Sequence, residues 1–345
     1  MLIRPVAIKD LDGLIALANE AGTGLTSLQP NREQLKARIE RSIQTFRQTA
    51  EQADQGYLFV LADSNDEPVG VCGIEVALGL STPWYNYRVG TVSHMSASLG
   101  VAQHVPTLFL SNDHTGHSEL CTLFLAPAAR GNQNGQLLSK SRLLFINVFR
   151  EAFGQKVVAE MRGVSDENGL SPFWESLGKH FFSMEFAKAD YLSGVGDKQF
   201  IAELMPKFPI YTSLLSEDAQ AVIGKVHQNT APARKMLEAE GLQYQGYIDI
   251  FDGGATLEAY IDDLRIIKES TNETAKPILE AETNTAELPH ISYLVANQQL
   301  PNFRCILKRA SSTAEASHLT DREFHLLNVD SKDTLHIVPL SPNIP

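Results

Sequence analysis

Cysteine occurs only three times in 345 residues, at Cys72, Cys121 and Cys305, and never in a Cys-x-x-Cys or Cys/His cluster. No structural zinc site is therefore expected, and no metal. A sparse, odd set of thiols also fits a reducing, cytoplasmic compartment better than a secreted one. Long apolar runs are missing, so no segment is expected to span or enter a membrane. The start, Met1-Leu2-Ile3-Arg4-Pro5, lacks a basic stretch followed by an apolar one, and no signal peptide is expected. Positive charge is in deficit: 29 Lys and Arg against 41 Asp and Glu leave a formal charge of −12. That balance excludes bulk attraction for nucleic acid or anionic lipid, while a local basic pocket for a small anion stays open.

What is present is enough to build a core. Hydrophobic residues make up 43% of the chain and charged residues 20%, an ordinary globular mixture, and the length suggests about two domains. Leu2–Val6 reads as a strand, and Asp10 as the cap of a helix with Leu11, Leu14, Ile15, Leu17 and Ala18, ended by Gly22 and Gly24. Arg32–Gln48 reads as a helix with Leu35, Ile39 and Ile43 on one face and a solvated mixture of Glu and Arg on the other. Tyr57–Ala62 and Val69–Leu78 form a hairpin pattern around a polar turn, followed by strands at Tyr85–Gly90 and Thr107–Leu110.

The most informative stretch begins at Glu119–Leu125, an apolar strand. It is followed by the loop Arg130-Gly131-Asn132-Gln133-Asn134-Gly135 and an amphipathic helix from Gln136 to Phe153. Val157–Arg162 is a further strand, Phe173–Leu177 a short helix closed by Gly178, and Phe181–Met184 a last strand. Thr230 and Gly241 bracket a helix from Ala231 to Glu240 with Pro232 in its first turn, and Tyr247–Phe251 reads as a strand. The passages Ser171–Phe182 and Ala231–Tyr244 are weak echoes of one another. Ser270–Pro289 is polar and aperiodic, hence a linker, and Ile291–Pro345 alternates in short runs that suggest a small β module.

Glycines directly after a strand and opening a helix make an anion site, because the first helical N–H groups lack partners and the dipole adds positive potential. The loop 130–135 is neither a P-loop, since no Gly-Lys-Ser/Thr follows, nor a dinucleotide fingerprint, since hairpins precede it. Strand, Arg-Gly-x-x-x-Gly loop, long helix, strand, short helix and strand resemble the acyl-CoA-binding core of the GNAT acyltransferases. Longer motifs sharpen the resemblance. They are Thr82-Pro83-Trp84-Tyr85-Asn86-Tyr87-Arg88-Val89-Gly90, Leu108–Gly116, Ser118–Leu125, Val158–Gly163, Ser171–Lys179 and Tyr247–Gly254. Over about residues 1–265 the chain resembles the arginine N-succinyltransferase family.

The resemblance implies an α+β fold: a GNAT-like core with a mixed central sheet over 1–189, and a second segment at 190–268 that completes the active site as a degenerate second GNAT-like half. A linker at 269–289 and a small C-terminal β module at 290–345 follow. It implies an acyltransferase that moves the succinyl group of succinyl-CoA to the α-amine of L-arginine, giving CoA and N2-succinyl-L-arginine, the first step of an arginine catabolic route. No prosthetic group is implied, and assembly with a second copy or a related subunit is. The same pattern admits ornithine or another basic amino acid as acceptor, and a non-catalytic sensor of acyl-CoA or arginine.

Amine attack on a thioester needs a neutral nitrogen, a proton path to the departing sulfur and a donor for the oxyanion. His227, just before the helix that Thr230 opens, titrates near neutrality. It matches the family's proton donor; a surface histidine near a cap is the plain alternative. Leu123 matches the family's succinyl-CoA contact, and Arg130, Gly131 and Gly135 are expected at the pyrophosphate. Asp113, Glu119 and Glu160 are candidates for the acceptor's cationic groups, with no basis for choosing among them. Arg88 and Arg162 are candidates for the succinyl carboxylate. Cys121 reads as a core residue rather than a nucleophile, and His114 and His117 as loop residues.

Overall fold

The computed structural model describes residues 1–22, 25–167, 169–194, 199–278 and 289–342; Gly24, most of the expected linker (279–288) and the last residues 343–345 lie outside them. The chain opens with β1 (Leu2–Pro5), α1 (Leu11–Ala21) and α2 (Arg32–Phe46). Asp10 does not cap α1 with its side chain; the buried carboxylate instead takes the Arg4 guanidinium at 2.7 and 2.8 Å and the Ala7 N–H. Gly22 ends α1 in the left-handed half of conformational space, at φ 68°. The hairpin β2 (Gly56–Ala62) and β3 (Pro68–Glu75) follows as expected. The next pair, β4 (Asn86–Ser96) and β5 (Val101–Ser111), is much longer than the sequence suggested. Its distal half is largely exposed, so no apolar alternation marks it.

Then come β6 (Ser118–Leu125), α3 (Asn134–Val148) and β7 (Lys156–Glu160). The expected strand at Phe181–Met184 is absent. A π turn at Trp174–Gly178 runs directly into α4 (Lys179–Phe182), which Ser183 ends at φ 51°. Gly178 is therefore no stop: a Cβ there would lie 2.3 Å from the Trp174 ring, so glycine allows close packing within a continuous helix. Three short elements, α5 (Phe186–Gly194), α6 (Gln199–Leu204) and β8 (Ile210–Tyr211), precede α7 (Glu217–Val222), α8 (Ala231–Glu240), β9 (Gln243–Ile248), β10 (Ala255–Tyr260) and α9 (Arg265–Glu269). The rest holds β11 (Thr271–Thr274), β12 (Lys276–Pro277), β13 (Ile291–Ala296), β14 (Cys305–Ala310), α10 (Thr313–Ala316), β15 (His318–Leu319), α11 (Asp321–Leu327) and β16 (Thr334–Pro339).

Fourteen strands form one sheet in the order β11-β16-β13-β14-β1-β2-β3-β6-β7-β10-β9-β4-β5-β8, while β12 and β15 pair separately. In the large sheet every described pairing is antiparallel except β6 with β7. The fold is therefore α+β with a mixed sheet, and β1-β2-β3-β6-β7-β10-β9 is its central run. The echo between Ser171–Phe182 and Ala231–Tyr244 is not kept in the structure: the first is helical to its end, whereas Ala231–Glu240 does lead into β9. The start of the polar stretch is also no linker: Thr271–Thr274 pairs along β16, where an edge strand needs few apolar side chains. The tail is β-rich as expected, but β14 joins β1 at Ile3↔Cys305, so it continues the main sheet.

Alternate residues of the core strands serve two faces. Tyr57, Phe59, Cys72, Ile74, Leu120, Val157 and Ala159 pack with α3, whereas Leu58, Val60 and Val71 pack with α1 and α2. Helix α3 is not amphipathic as expected. Ser139, Lys140, Ser141 and Arg142 are as buried as its leucines, because α9 and the C-terminal strands cover its outer side.

Candidate active site

Parallel strands β6 and β7 are in register only at Ser118↔Val157 and Glu119↔Val158. Beyond that point they part, and their unpaired edges bound a wedge in the middle of the sheet. On the β6 side the register with β3 slips between Val71 and Gly73, and Thr122 takes φ 53°. This bulge changes which way the strand faces. Glu119 and Cys121 line a cavity on the α2 face, yet Leu123 and Leu125 pack with the α3 cluster. The bulge is held from both faces: Arg38 of α2 donates to the Thr122 hydroxyl, and Arg142 of α3 donates to the Cys121 carbonyl at 3.1 Å.

The strand leads into a run of three left-handed residues, Gly131 (φ 110°), Asn132 (φ 46°) and Gln133 (φ 63°), directly before α3. Such a run curls successive N–H groups toward one side, as an anion nest requires. The curl is fixed by the Asn134 N–H on the Gly131 carbonyl and by the Asn134 amide on the Ala129 carbonyl, at 2.9 and 2.8 Å. From β13, Ser292 reaches the Gln133 side chain at 2.6 Å. Arg130 and Gly131 are exposed here, and Gly135 lies in the first turn of α3.

On the β7 side, Arg162 lies four residues beyond Val158, as Leu123 lies four beyond Glu119, so the two stand on opposite arms of the wedge. His227 hangs from that second arm, its N–H donating to the Arg162 carbonyl at 2.9 Å. Buried Asp252 steadies the same arm by accepting the Gly163 N–H at 2.6 Å. The His227 Nδ1 accepts the Asn229 N–H at 3.1 Å, so the neutral ring carries its proton on Nε2. Burial, and then the Arg162 charge, hold the His227 pKa below the usual imidazole value.

The α2-face cavity measures about 620 Å³ and is lined by Arg38, Arg41, Glu75, Glu119, Glu160 and Asp249 among others. Of the three candidate carboxylates it brings together two, Glu119 and Glu160. Asp113 is elsewhere, exposed, hydrogen-bonded by Tyr247 at 2.7 Å and 3.9 Å from Arg88. That hydrogen bond, more than Arg88, keeps the Asp113 pKa below the usual carboxylate value. Arg88 is likewise outside the cavity, so its expected role at the succinyl carboxylate has no support. Burial pushes the Cys121 thiol up to about 11, which removes it as a nucleophile. Sequence reasoning missed Arg38 and Arg41. They are three residues apart on α2 and flank Ile39, so they turn inward, where Glu75 pairs Arg41 at 2.6 Å and Arg38 at 3.7 Å.

Residues 1–266 match the family model described as the arginine N-succinyltransferase beta subunit. The chain belongs to the arginine N-succinyltransferase family. It is 54% identical to the Yersinia pestis arginine N-succinyltransferase over 342 residues, 99% of this chain and 98% of that one. The Enterobacter enzyme of the same name is also 54% identical over 343 residues, with the same shares covered. A solved structure of arginine/ornithine succinyltransferase subunit AI from Pseudomonas aeruginosa superposes with a TM-score of 0.88 at 32% identity, over 99% of this chain and 98% of that one. Members of this family are acyltransferases, and so is this chain.

Proposed function

We propose that this family member transfers the succinyl group of succinyl-CoA to the α-amine of L-arginine, and that the wedge between β6 and β7 is where the transfer occurs. The observation that carries the reading is continuity. One strand edge opens at Glu119, bulges at Thr122 and leads into the left-handed run that starts α3. An extended acyl-pantetheine arm fits that edge, and its pyrophosphate fits the nest at Gly131 and the first turn at Gly135, with Arg130 adding charge.

In this reading the main chain around Leu123 holds the thioester and supplies the oxyanion donor. Arg38 and Arg41 on the α2 face suit the far carboxylate of the succinyl group. Glu119 and Glu160 suit the cationic groups of the acceptor. The neutral amine attacks the thioester carbon, and the C–S bond breaks as the tetrahedral adduct collapses. The Nε2–H of His227 donates a hydrogen bond to the departing sulfur, which takes up the proton shed by the attacking nitrogen. No covalent enzyme intermediate is needed.

The test is to mix the purified protein with succinyl-CoA and L-arginine, follow thiol release and weigh the product. Arginine-dependent release with N2-succinylarginine formed supports the reading. Release with ornithine alone shifts the acceptor, and binding of both ligands without release makes the chain a sensor. Assembly with a second copy or a related subunit is part of the proposal, supported by Met95 and Leu99, which are 82% and 77% exposed at the end of the β4–β5 hairpin. Light scattering at micromolar protein, with a monomer as the contrary result, tests it. A cytoplasmic location is proposed too, supported by three buried free thiols; among the described residues no helix is long and apolar enough to cross a membrane.

A further inference from the structure

Behind the cavity lies a line of polar side chains that the reaction above does not use. Glu160 accepts a hydrogen bond from the Asn86 amide at 3.0 Å, and that amide also lies 3.2 Å from the Thr256 hydroxyl. The Asn86 carbonyl oxygen faces Nδ1 of His114 at 2.8 Å, and Nε2 of His114 faces the Glu258 carboxylate at 2.7 Å. Lys156 completes the line at 2.8 Å from the other Glu258 oxygen. Asn86 and His114 are each 1% exposed.

The donors and acceptors along this line determine one another. Glu160, Thr256 and the Ile248 carbonyl all surround the Asn86 Nδ2, so Asn86 turns its oxygen to His114. A flipped amide would set its oxygen against the Glu160 carboxylate. Both nitrogens of His114 thus face acceptors, and only the doubly protonated ring satisfies both. The other groups around the ring are Trp84, His117 and Tyr247, with Asp113 next in the chain. Chiefly the hydrogen bond from His114, and then Lys156, hold the Glu258 pKa down at about 2.

We infer that His114 is an imidazolium locked between Glu258 and Asn86, and that through Asn86 it fixes the orientation of Glu160 as the carboxylate that receives the acceptor's cationic group. His114 and Asn86 are positioning residues, acting on the acceptor and not on succinyl-CoA. The inference rests on the proposed function for the identity of the acceptor, and on hydrogen-bond geometry alone for the state of His114.

Two measurements separate those dependencies. In the intact protein labelled with 15N-histidine, the His114 resonances, assigned with His114→Gln, should show protons on both ring nitrogens at pH 7.5 without any ligand. A bare nitrogen there overturns the inference whatever the enzyme does. Kinetically, Asn86→Ala should raise KM for arginine about tenfold, the value of one charge-assisted hydrogen bond. It should leave KM for succinyl-CoA within twofold and kcat within a few-fold. Equal rises for both substrates, or a fall in kcat with KM for arginine unchanged, overturn it, since a merely structural role would not select one substrate. Lack of any arginine-dependent turnover in the unsubstituted protein would count against the proposed function, and the resonance result would still stand.

Discussion

The guanidinium of Arg142 donates to the carbonyl oxygen of Cys121 at 3.1 Å, from a side chain that is 1% exposed. Its other hydrogen bonds run to the Ser139 carbonyl and hydroxyl, on its own helix. No carboxylate pairs with it among the described residues, and burial pulls its pKa below the ordinary guanidinium value. Cys121, opposite Gly73, is the residue in register with β3 next to the slip at Thr122, and Arg142 binds its carbonyl from the α3 side. A buried charge without a carboxylate is costly, so its replacement should not simply destabilise. Arg142→Met releases that cost while it leaves the carbonyl unsatisfied, a penalty of about 1–3 kcal/mol. The two nearly offset in stability, but nothing then holds the bulge from the α3 side. Urea unfolding should move by less than about 2 kcal/mol, while KM for succinyl-CoA rises about three- to tenfold. An unchanged KM would mean that the bulge persists without Arg142.

His227→Ala should keep succinyl-CoA binding and lose roughly two or more orders of magnitude in kcat, the usual scale for a positioned acid–base group. The pH dependence carries a sign. Burial and Arg162 depress the His227 pKa, so the neutral ring with its Nε2 proton persists to lower pH than an ordinary histidine would allow. The ring titration of His227, followed by NMR, should therefore have its midpoint below the usual imidazole value. In Arg162→Gln one of the two causes is gone, and the midpoint should move toward higher pH. A midpoint that stays in place would remove Arg162 as a cause, and a His227→Ala variant with full turnover would remove His227 from the reaction.

How much of this was legible beforehand depends on whether the signal was local. The loop at 130–135 and strand 119–125 stood out through their context, because a glycine turn before a helix is common alone and gains meaning from the strand, long helix and strand around it. The wedge did not, since parallel pairing at Glu119↔Val158 is a contact between distant segments. The bulge did not either, because Thr122 is a poor left-handed residue that the sequence gives no reason to expect there. Arg38 and Arg41 looked like a solvated face, as Arg on a polar helix usually is. Their inward turn depends on Glu75 and the Thr122 hydroxyl, supplied by other strands. Phe181–Met184 looked like a strand because a four-residue apolar run does not distinguish strand from helix, and stacking of Phe182 on Trp174 at 5.3 Å decided it.

A second buried cluster sets the stability of the helix that begins at the nest. Glu240, 0% exposed at the end of α8, sits 2.8 Å from Lys140 of α3 and 2.8 Å from Arg265 of α9. Lys140 also reaches the Leu340 carbonyl at 2.6 Å, and Arg265 reaches that of Pro339 at 3.0 Å. One carboxylate thus joins three helices, and its two cations reach the carbonyls where β16 ends. Its removal leaves buried Lys140 without its carboxylate and Arg265 with Glu269 alone. Glu240→Ala should cost about 3–5 kcal/mol in urea unfolding, whereas truncation of the exposed partner in Arg150–Asp262 should cost less than about 1 kcal/mol. A small loss for Glu240→Ala would mean that water reaches the cluster.

The two glycines of the loop should respond in opposite ways to the same added methyl group. At Gly131 a Cβ would meet nothing within 4 Å, but φ is 110°, where an L-residue is strained. Gly131→Ala should therefore lose about 1–2 kcal/mol of stability through the backbone alone, and the β-branched Gly131→Val should lose more. Gly135 is helical, and the nearest atom to its Cβ would be Leu125 Cδ2 at an ordinary 3.9 Å. Gly135→Ala should raise stability by up to about 1 kcal/mol through helix propensity. If the pyrophosphate lies against this first turn, the same methyl group stands where a phosphate oxygen approaches. KM for succinyl-CoA should then rise severalfold in both variants, with KM for arginine unmoved. A more stable Gly135→Ala protein that binds succinyl-CoA as before would place the pyrophosphate elsewhere, because stability and binding would no longer part company at the one position where the free chain favours the substitution.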